Sequence, residues 1–143
     1  MKFAKKFAAV ALLATSLMLT GCGQDQIGYI DVNKVMEEAP RVKTIMTEAE
    51  TKMKEAEQKF EQDRAAKPDM PQEDLAKMQM DFQRKISGIN QAAASQIQSR
   101  VNVVVGEISQ SKNIGVVIAN SPDQKVLFKG GIDITQDVIN KMQ

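Results

Sequence analysis

The apolar positions of the chain predict two long helices. In the first, apolar residues recur at alternating intervals of four and three, the heptad spacing of a helix that packs along one seam. These positions are Val35, Ala39, Val42, Met46, Ala49, Met53, Ala56 and Phe60. The pattern leaves Ile45 outside the seam, on a face that we expect to be open to solvent.

The second apolar series has a different spacing. Its members are Leu75, Met78, Phe82, Ile86, Ile89, Ala93, Ile97, Val101, Val104 and Ile108. Their intervals approach an eleven-residue repeat, which favours a straight or slightly right-handed path. Because the two periods differ, we expect the helices not to pack tightly along their whole length. The second arm, 72–112, would reach roughly 60 Å.

Prolines mark the breaks between these helices. Pro68 and Pro71 each lack a backbone donor and restrict the preceding residue, which predicts a turn at 67–71 and a hairpin over 33–112. Pro40 interrupts the first series early. It predicts a short helix from Asn33 to Ala39, with Asn33 as the N-cap, kinked against the longer one.

A small β-containing body is predicted at both ends of the hairpin, at 27–32 and 113–143. Three runs have strand character: Ile27–Val32, Ile114–Ala119 and Val126–Phe128. A last helix follows, with Thr135 as candidate N-cap and with Val138, Ile139 and Met142 on one face. The fold class is therefore α+β, a single domain over 27–143.

One copy has few strands with which to bury its own sheet, because small domains remove a small fraction of their surface from water. We therefore expect the body to form an oligomer. The candidate interface residues are the apolar strand positions Ile30, Val32, Val116, Val117, Ile118, Val126 and Phe128.

The first 21 residues are predicted to be a secretory signal. Three lysines precede Phe7–Leu19, an apolar stretch shorter than the roughly 20 residues that span a bilayer. The stretch ends in Leu19-Thr20-Gly21-Cys22, which resembles the lipobox of bacterial lipoproteins. That resemblance implies cleavage before Cys22, acylation of its sulfur, and a tether over 22–26. The alternative is an ordinary secreted protein with one free thiol.

Composition limits the chemistry. Removing residues 1–21 removes three lysines and no acid, so the net charge changes from +1 to −2. A charge so near zero does not favour a nucleic-acid partner. Histidine is absent and Cys22 is the sole cysteine, so the usual nucleophiles, general bases and zinc ligands are lacking. We expect no enzymatic activity, no cofactor and no metal.

The order of these segments resembles the Skp/OmpH family of periplasmic chaperones over essentially all of 22–143. The motifs that carry the resemblance are Ile27–Val32 leading into Asn33-Lys34-Val35, Glu38-Ala39-Pro40, Gly115–Ala119, Val126–Phe128 and Asp133-Ile134-Thr135. The resemblance implies a homotrimer in which a β-sheet body carries three hairpin arms around a cavity. Unfolded outer-membrane proteins are held in that cavity without ATP.

This chain departs from the family pattern in three respects. It carries a lipobox, it is nearly neutral where the best-known member is basic, and its first arm is short. The lipobox implies a cell-envelope location on a lipid bilayer. Gly23 after the cysteine, in place of aspartate, favours the periplasmic side of the outer membrane in a diderm cell. In a monoderm cell the site is the outer face of the plasma membrane.

Two functions fit the sequence. One is a holdase for unfolded membrane or secreted polypeptides, with Ile45, Met70 and Met80 as the candidate client-binding residues because they are hard to place in the seams. Methionine is flexible and suits surfaces that accept varied partners. The other is a structural coiled-coil lipoprotein that acts as a spacer. The predicted β segments argue against a pure coiled coil.

Overall fold

Two long helices, two short helices and a small parallel sheet make up the described part of the chain. The computed structural model describes residues 26–121 and 130–143. In chain order the elements are β1 (Gln26–Asp31), α1 (Val32–Glu38), α2 (Pro40–Ala65), α3 (Gln72–Lys112), β2 (Ile114–Asn120), β3 (Ile132–Asp133) and α4 (Thr135–Lys141). The fold is α+β, with a long helical hairpin attached to a three-stranded sheet, as the hydrophobic pattern predicts.

The boundaries of α1 follow from local chemistry. Its N-cap is Asp31, whose carboxylate accepts a hydrogen bond from the Lys34 amide at 3.1 Å. The prediction of Asn33 as the cap is wrong, since Asn33 already lies in the first turn. Ala39 adopts an extended conformation because Pro40 follows it. Pro40 is the first residue of α2, where its missing donor costs nothing.

A six-residue connection joins α2 to α3. The Met70 amide donates to the Lys67 carbonyl at 3.2 Å, and the Leu75 amide donates to the Pro71 carbonyl at 3.0 Å. At its other end α3 stops at Asn113, which has φ 54° and sends its amide back to the Ser109 carbonyl. Asparagine tolerates this left-handed conformation, and the chain then enters β2.

The structure corrects the seam of α2. Ile45 is 2% exposed and belongs to the core, whereas Met46 is 44% exposed. The prediction that placed Met46 inside and Ile45 outside is therefore wrong. The reason is the break at Ala39 and Pro40. Because α1 and α2 are separate helices, a period that runs through both does not describe α2.

With Ile45 in place of Met46, the two arms have the same spacing. On α2 the inward positions are 42, 45, 49, 53, 56 and 60, and on α3 they include 75, 78, 82, 86, 89 and 93. Both series have the intervals three, four, four, three and four. The inferred mismatch of periods is thus wrong. The buried cluster nevertheless extends along the arms only to Ala49 and Ala93, so the expectation that the helices do not pack tightly along their whole length stays a prediction.

The sheet has the order β2-β1-β3, and both pairs of strands are parallel. A bulge at Gly115 interrupts the first pair, since Gln26 lies opposite Ile114 but Ile27 lies opposite Val116. The third strand is the two-residue β3. The predicted strand Val126–Phe128 lies outside the described residues.

The core lies where α1, α4, the sheet and the base of the arms meet. Its largest fully buried side chains are Ile45, Ile134, Met142, Val35, Val42 and Val138. The predicted apolar face of the last helix is confirmed, because Val138, Ile139 and Met142 are all buried. Thr135 is the first residue of α4 rather than its N-cap.

Two ion pairs hold α4 against α3. Lys112 Nζ lies 2.6 Å from Asp137 Oδ2, and Lys141 Nζ lies 2.8 Å from Glu107 Oε2. The hydrogen bond and the charge of Lys141 lower the pKa of Glu107 below its ordinary value. All four side chains are about half exposed, so these pairs fix the position of α4 more than they stabilise the fold.

Candidate binding surfaces

The outer face of the sheet is apolar and uncovered in the described protomer. Residues opposite each other on neighbouring strands share a face, which places Ile27 with Val116 and Tyr29 with Ile118. Ile27 is 47% exposed and Val116 is 56% exposed. The other face carries Gly28, which is buried against Ile114. One face of the sheet thus serves the core, and the other remains available to a partner.

The predicted interface residues divide between the two faces. Ile30 is buried and Val117 packs against the core of the same protomer. Val116 and Ile118 lie on the outer face. If inward and outward residues alternated regularly from Ile114, Val116 would face the core and Val117 would face outward. The bulge at Gly115 reverses this order, and the sequence pattern does not reveal it.

The remaining interface candidates lie elsewhere. Val32 is the first residue of α1 and packs against the core. Val126 and Phe128 lie outside the described residues. Ile27 and Tyr29, which belong to the predicted strand Ile27–Val32 but not to the candidate interface positions, share the outer face. The alternation of strand β1 alone could have identified them.

A groove of about 880 Å³ lies at the tip of the hairpin. Phe60 of α2 and Phe82 of α3 stack there, with ring centroids 4.7 Å apart and planes inclined by 27°. Met70 from the turn and Met78 from α3 also line it. These four side chains are half-buried, so apolar and aromatic surface of both arms remains accessible to solvent.

Charged side chains of both signs surround this tip groove. Four lysines and four aspartates line it: Lys59, Lys67, Lys77, Lys85, Asp63, Asp69, Asp74 and Asp81. Lys59 pairs with Asp63 at 3.3 Å, and Lys77 lies 3.9 Å from Asp74. The lining has no net charge, so the groove offers no strong field to a charged ligand.

The structure separates the three residues predicted to bind clients. Ile45 is in the core, and a side chain that is 2% exposed has no surface with which to contact a client. Met70 lines the tip groove. Met80 is 54% exposed on α3 and is not part of the groove. These residues do not form one surface.

A second groove of about 880 Å³ lies at the base of the arms. Arg41 and Arg100 line it together with Thr44, Ser95 and Ser99, and no acidic side chain is among its lining residues. Val103, 51% exposed, is the one large hydrophobic side chain exposed in its lining. This arm-base groove is therefore mainly polar, unlike the tip groove.

Two further findings concern residues 26–121 and 130–143 only. No group of three or more metal-ligating side chains occurs within these ranges. None of the helices in them is both long and apolar enough to cross a membrane. Cys22, the predicted lipidation site, lies outside the described residues.

No family model matches the chain, and no curated protein matches it either. Among solved structures, the chain is similar to a candidate outer membrane chaperone, OmpH-like, from Caulobacter crescentus CB15. The two share 15% sequence identity, the likeness covers 85% of this chain and 86% of the other, and the TM-score is 0.38. The likeness is too distant to carry a functional conclusion.

Proposed function

We propose that this protein is an ATP-independent holdase chaperone of the cell envelope. In this proposal its arms bind unfolded membrane or secreted polypeptides, its body forms a homotrimer, and acylated Cys22 holds it on a lipid bilayer. The proposed activity uses neither a catalytic residue nor a cofactor.

The position of the core is the observation that carries this proposal. The main buried cluster extends along the arms only to Ala49 on α2 and Ala93 on α3. Beyond that level, Ala56 is the one buried apolar residue among the described ones. About half of a hairpin some 60 Å long therefore stands clear of the body. Such an arm suits contact with a large, unstructured partner better than a small ligand.

Trimer formation is supported by the sheet. All-parallel sheets are normally covered on both faces, yet the described residues of one protomer leave the outer face of this sheet open. Among the described strands β2 lies at the edge of the sheet, and it contains no charged residue and no proline. Exposed edges that lack such protection readily pair with another chain. Association of three copies through this face and edge would cover both.

Client contact is proposed to involve accessible methionines of the hairpin. Met80, which is 54% exposed, and the half-buried Met70 of the turn keep this role. Ile45 loses it because it is buried, and Met46 takes its place because it is 44% exposed. Accessible methionines give weak contacts that adapt to different side chains. Binding should thus be spread over many contacts and leave the client mobile.

An aggregation assay tests the function. The purified protein should keep a diluted, denatured β-barrel protein in solution without nucleotide. A variant with Met46, Met70 and Met80 changed to serine should do so less well while its assembly state is unchanged. The matched control replaces the exposed Gln58, Gln83 and Gln91 with serine and should behave as wild type.

The spacer function remains the alternative. Because the chain after residue 21 carries a net charge of only −2, holding should change little between low and half-molar salt, where exposed charges are screened. If no denatured client is held at either salt concentration, the holdase proposal is refuted and the spacer becomes the better explanation.

A further inference from the structure

We propose that the tip groove is a discrete docking site for one apolar face of an extended, uncharged segment of a client polypeptide. The proposal rests on the proposed holdase function and adds a defined site to it. The occupant is a strand-forming segment in which aromatic or aliphatic residues alternate with small polar ones.

The floor of the groove supplies the apolar half of this recognition. Exposed apolar residues elsewhere on the arms, such as Met46 and Met80, occur singly, which is normal for a protein surface. At the tip, the stacked Phe60 and Phe82 lie beside Met70 and Met78 in one concavity. The two half-buried rings keep accessible surface that a further aromatic side chain can contact, and methionine adapts to its shape.

The rim selects the charge of the occupant. Its lysines and aspartates balance, and Asp63 and Asp74 already lie within ion-pair distance of lysines. A strongly acidic or basic segment would meet like charges as often as opposite ones. A neutral segment meets no charge repulsion there. Its carbonyl groups can accept hydrogen bonds from the lysines of the rim, and its amide groups can donate hydrogen bonds to the aspartates.

The dimensions suit an extended chain. Side chains on one face of a strand recur every two residues, about 6.6 Å apart, so a groove of about 880 Å³ has room for two or three of them. Strands of membrane β-barrels have this alternation of apolar and polar residues. The groove is built from both arms and the turn, which ties binding to the closed hairpin.

The probe is a neutral synthetic peptide of about ten residues in which tryptophan and leucine alternate with serine and threonine. The protein contains no tryptophan, so the whole tryptophan signal comes from the peptide. We expect a blue shift on binding and a Kd that changes less than about twofold between low and half-molar salt. A larger salt effect would contradict the neutral-rim argument and overturn the proposal.

The test variant carries Phe60→Leu and Phe82→Leu, which removes the aromatic faces and keeps an apolar tip. We expect its Kd for the peptide to be about fivefold higher. Gln91→Ser, at an exposed position of α3 outside the groove, is the control and should bind as wild type. Equal affinity of the leucine variant and wild type would overturn the proposal.

A second measurement does not depend on the folding of a variant. A peptide with a photoreactive phenylalanine in place of tryptophan should label wild-type protein within residues 56–85. Labelling of the outer sheet face or of the arm-base groove would overturn the proposal. Loss of this label on addition of neutral phospholipid vesicles that do not themselves take up the peptide would indicate a lipid occupant and would also overturn the proposal.

The two proposals fail differently. If the protein keeps a denatured client soluble but does not bind the peptide, the docking site is refuted and the holdase function stands. If it neither binds the peptide nor holds a client, the proposed function fails as well.

Discussion

The Asp31 amide donates a hydrogen bond of 2.9 Å to the Thr135 hydroxyl, across 104 residues of sequence. Asp31 ends β1 and caps α1, and Thr135 begins α4, so this bond joins the first strand to the last helix. The Thr135 amide in turn donates to Asp133 Oδ1 at 2.9 Å. The body is thus held by polar contacts between its two sequence-distant parts as well as by its core.

Replacing Thr135 with valine keeps the shape of the side chain and removes the hydroxyl. Because Thr135 is 4% exposed, the Asp31 amide would lose its acceptor in a place with little water. We expect the free energy of unfolding to fall by about 1–3 kcal/mol, measured by urea denaturation. The control, Thr47→Val, removes an exposed hydroxyl that bonds its own helix and should change stability much less.

Gly28→Ala should destabilise the protein. The added Cβ would lie 3.1 Å from Ile114 Cγ2 and 3.2 Å from Ile114 Cδ1, and Ile114 is buried. Crowding of this kind costs about 1–3 kcal/mol. Ile114→Val in the same chain removes Cδ1 and should recover part of the loss, which thermal unfolding of both variants would measure.

Gly88→Ala is the matched control for that substitution. Nothing lies within 4 Å of a Cβ at Gly88, which sits inside α3. Alanine is favoured over glycine in a helix by about 1 kcal/mol, so this variant should be more stable than wild type. If both alanine variants changed stability in the same direction, contact with Ile114 would not be the cause at Gly28.

Asp133 should make stability depend on pH. Burial raises the pKa of this carboxyl, but hydrogen bonds from the Thr135 side chain and backbone outweigh it, helped by Lys34 and Tyr29, and the pKa lies below its ordinary value of 3.8. The ionised form therefore stabilises the fold above about pH 4, and this contribution is lost as the pH falls through the folded-state pKa.

Asp133→Asn removes that dependence. Denaturation of wild type and variant from pH 7 down to about pH 3 should show a difference in the free energy of unfolding that shrinks as the solution becomes more acidic. Asp133 is exposed enough for solvent to screen it, so the difference should be modest. A difference that stays constant over the range would contradict the role assigned to this carboxylate.

Two neighbouring valines should separate assembly from folding. Val116 is exposed on the outer face, so Val116→Asp should give a folded monomer. Val117 packs against the core, so Val117→Asp buries a charge, costs several kcal/mol, and should unfold the protomer. Light scattering and circular dichroism measure both effects. A wild-type protein that is monomeric at micromolar concentration would refute the trimer.

Cys22→Ser tests the lipid anchor predicted from Leu19-Thr20-Gly21-Cys22. The variant should move from the membrane fraction to the soluble fraction, because acyl chains contribute about 0.8 kcal/mol per buried CH₂ to membrane binding. Its helicity should match that of the unmodified protein. Partition of the unmodified protein into the aqueous phase of a detergent extraction would show that no anchor is present.

The sequence alone determined the elements whose cause is local. Pro40, Pro68 and Pro71 cannot lie inside a helix, because proline lacks a backbone donor and constrains the residue before it, so they mark the boundaries between helices. The helical period of the apolar residues between these prolines then predicted the two arms. The apolar face of α4 was predicted from the spacing of Val138, Ile139 and Met142. The α+β class and the hairpin needed no knowledge of tertiary contacts.

Tertiary structure decided which neighbouring residue faces inward. Ile45 and Met46 both fit an apolar seam in the sequence. Ile45 faces inward because α2 packs against α3 as a helix separate from α1. Val116 and Val117 both have the sequence character of buried strand residues. Because β2 pairs with β1 through a bulge, Val116 lies on the outer face of the sheet. A shift of one residue in a strand moves a side chain to the opposite face. The strand that sets such a shift by pairing lies far away in the sequence. The local pattern of apolar and polar residues therefore does not reveal the shift.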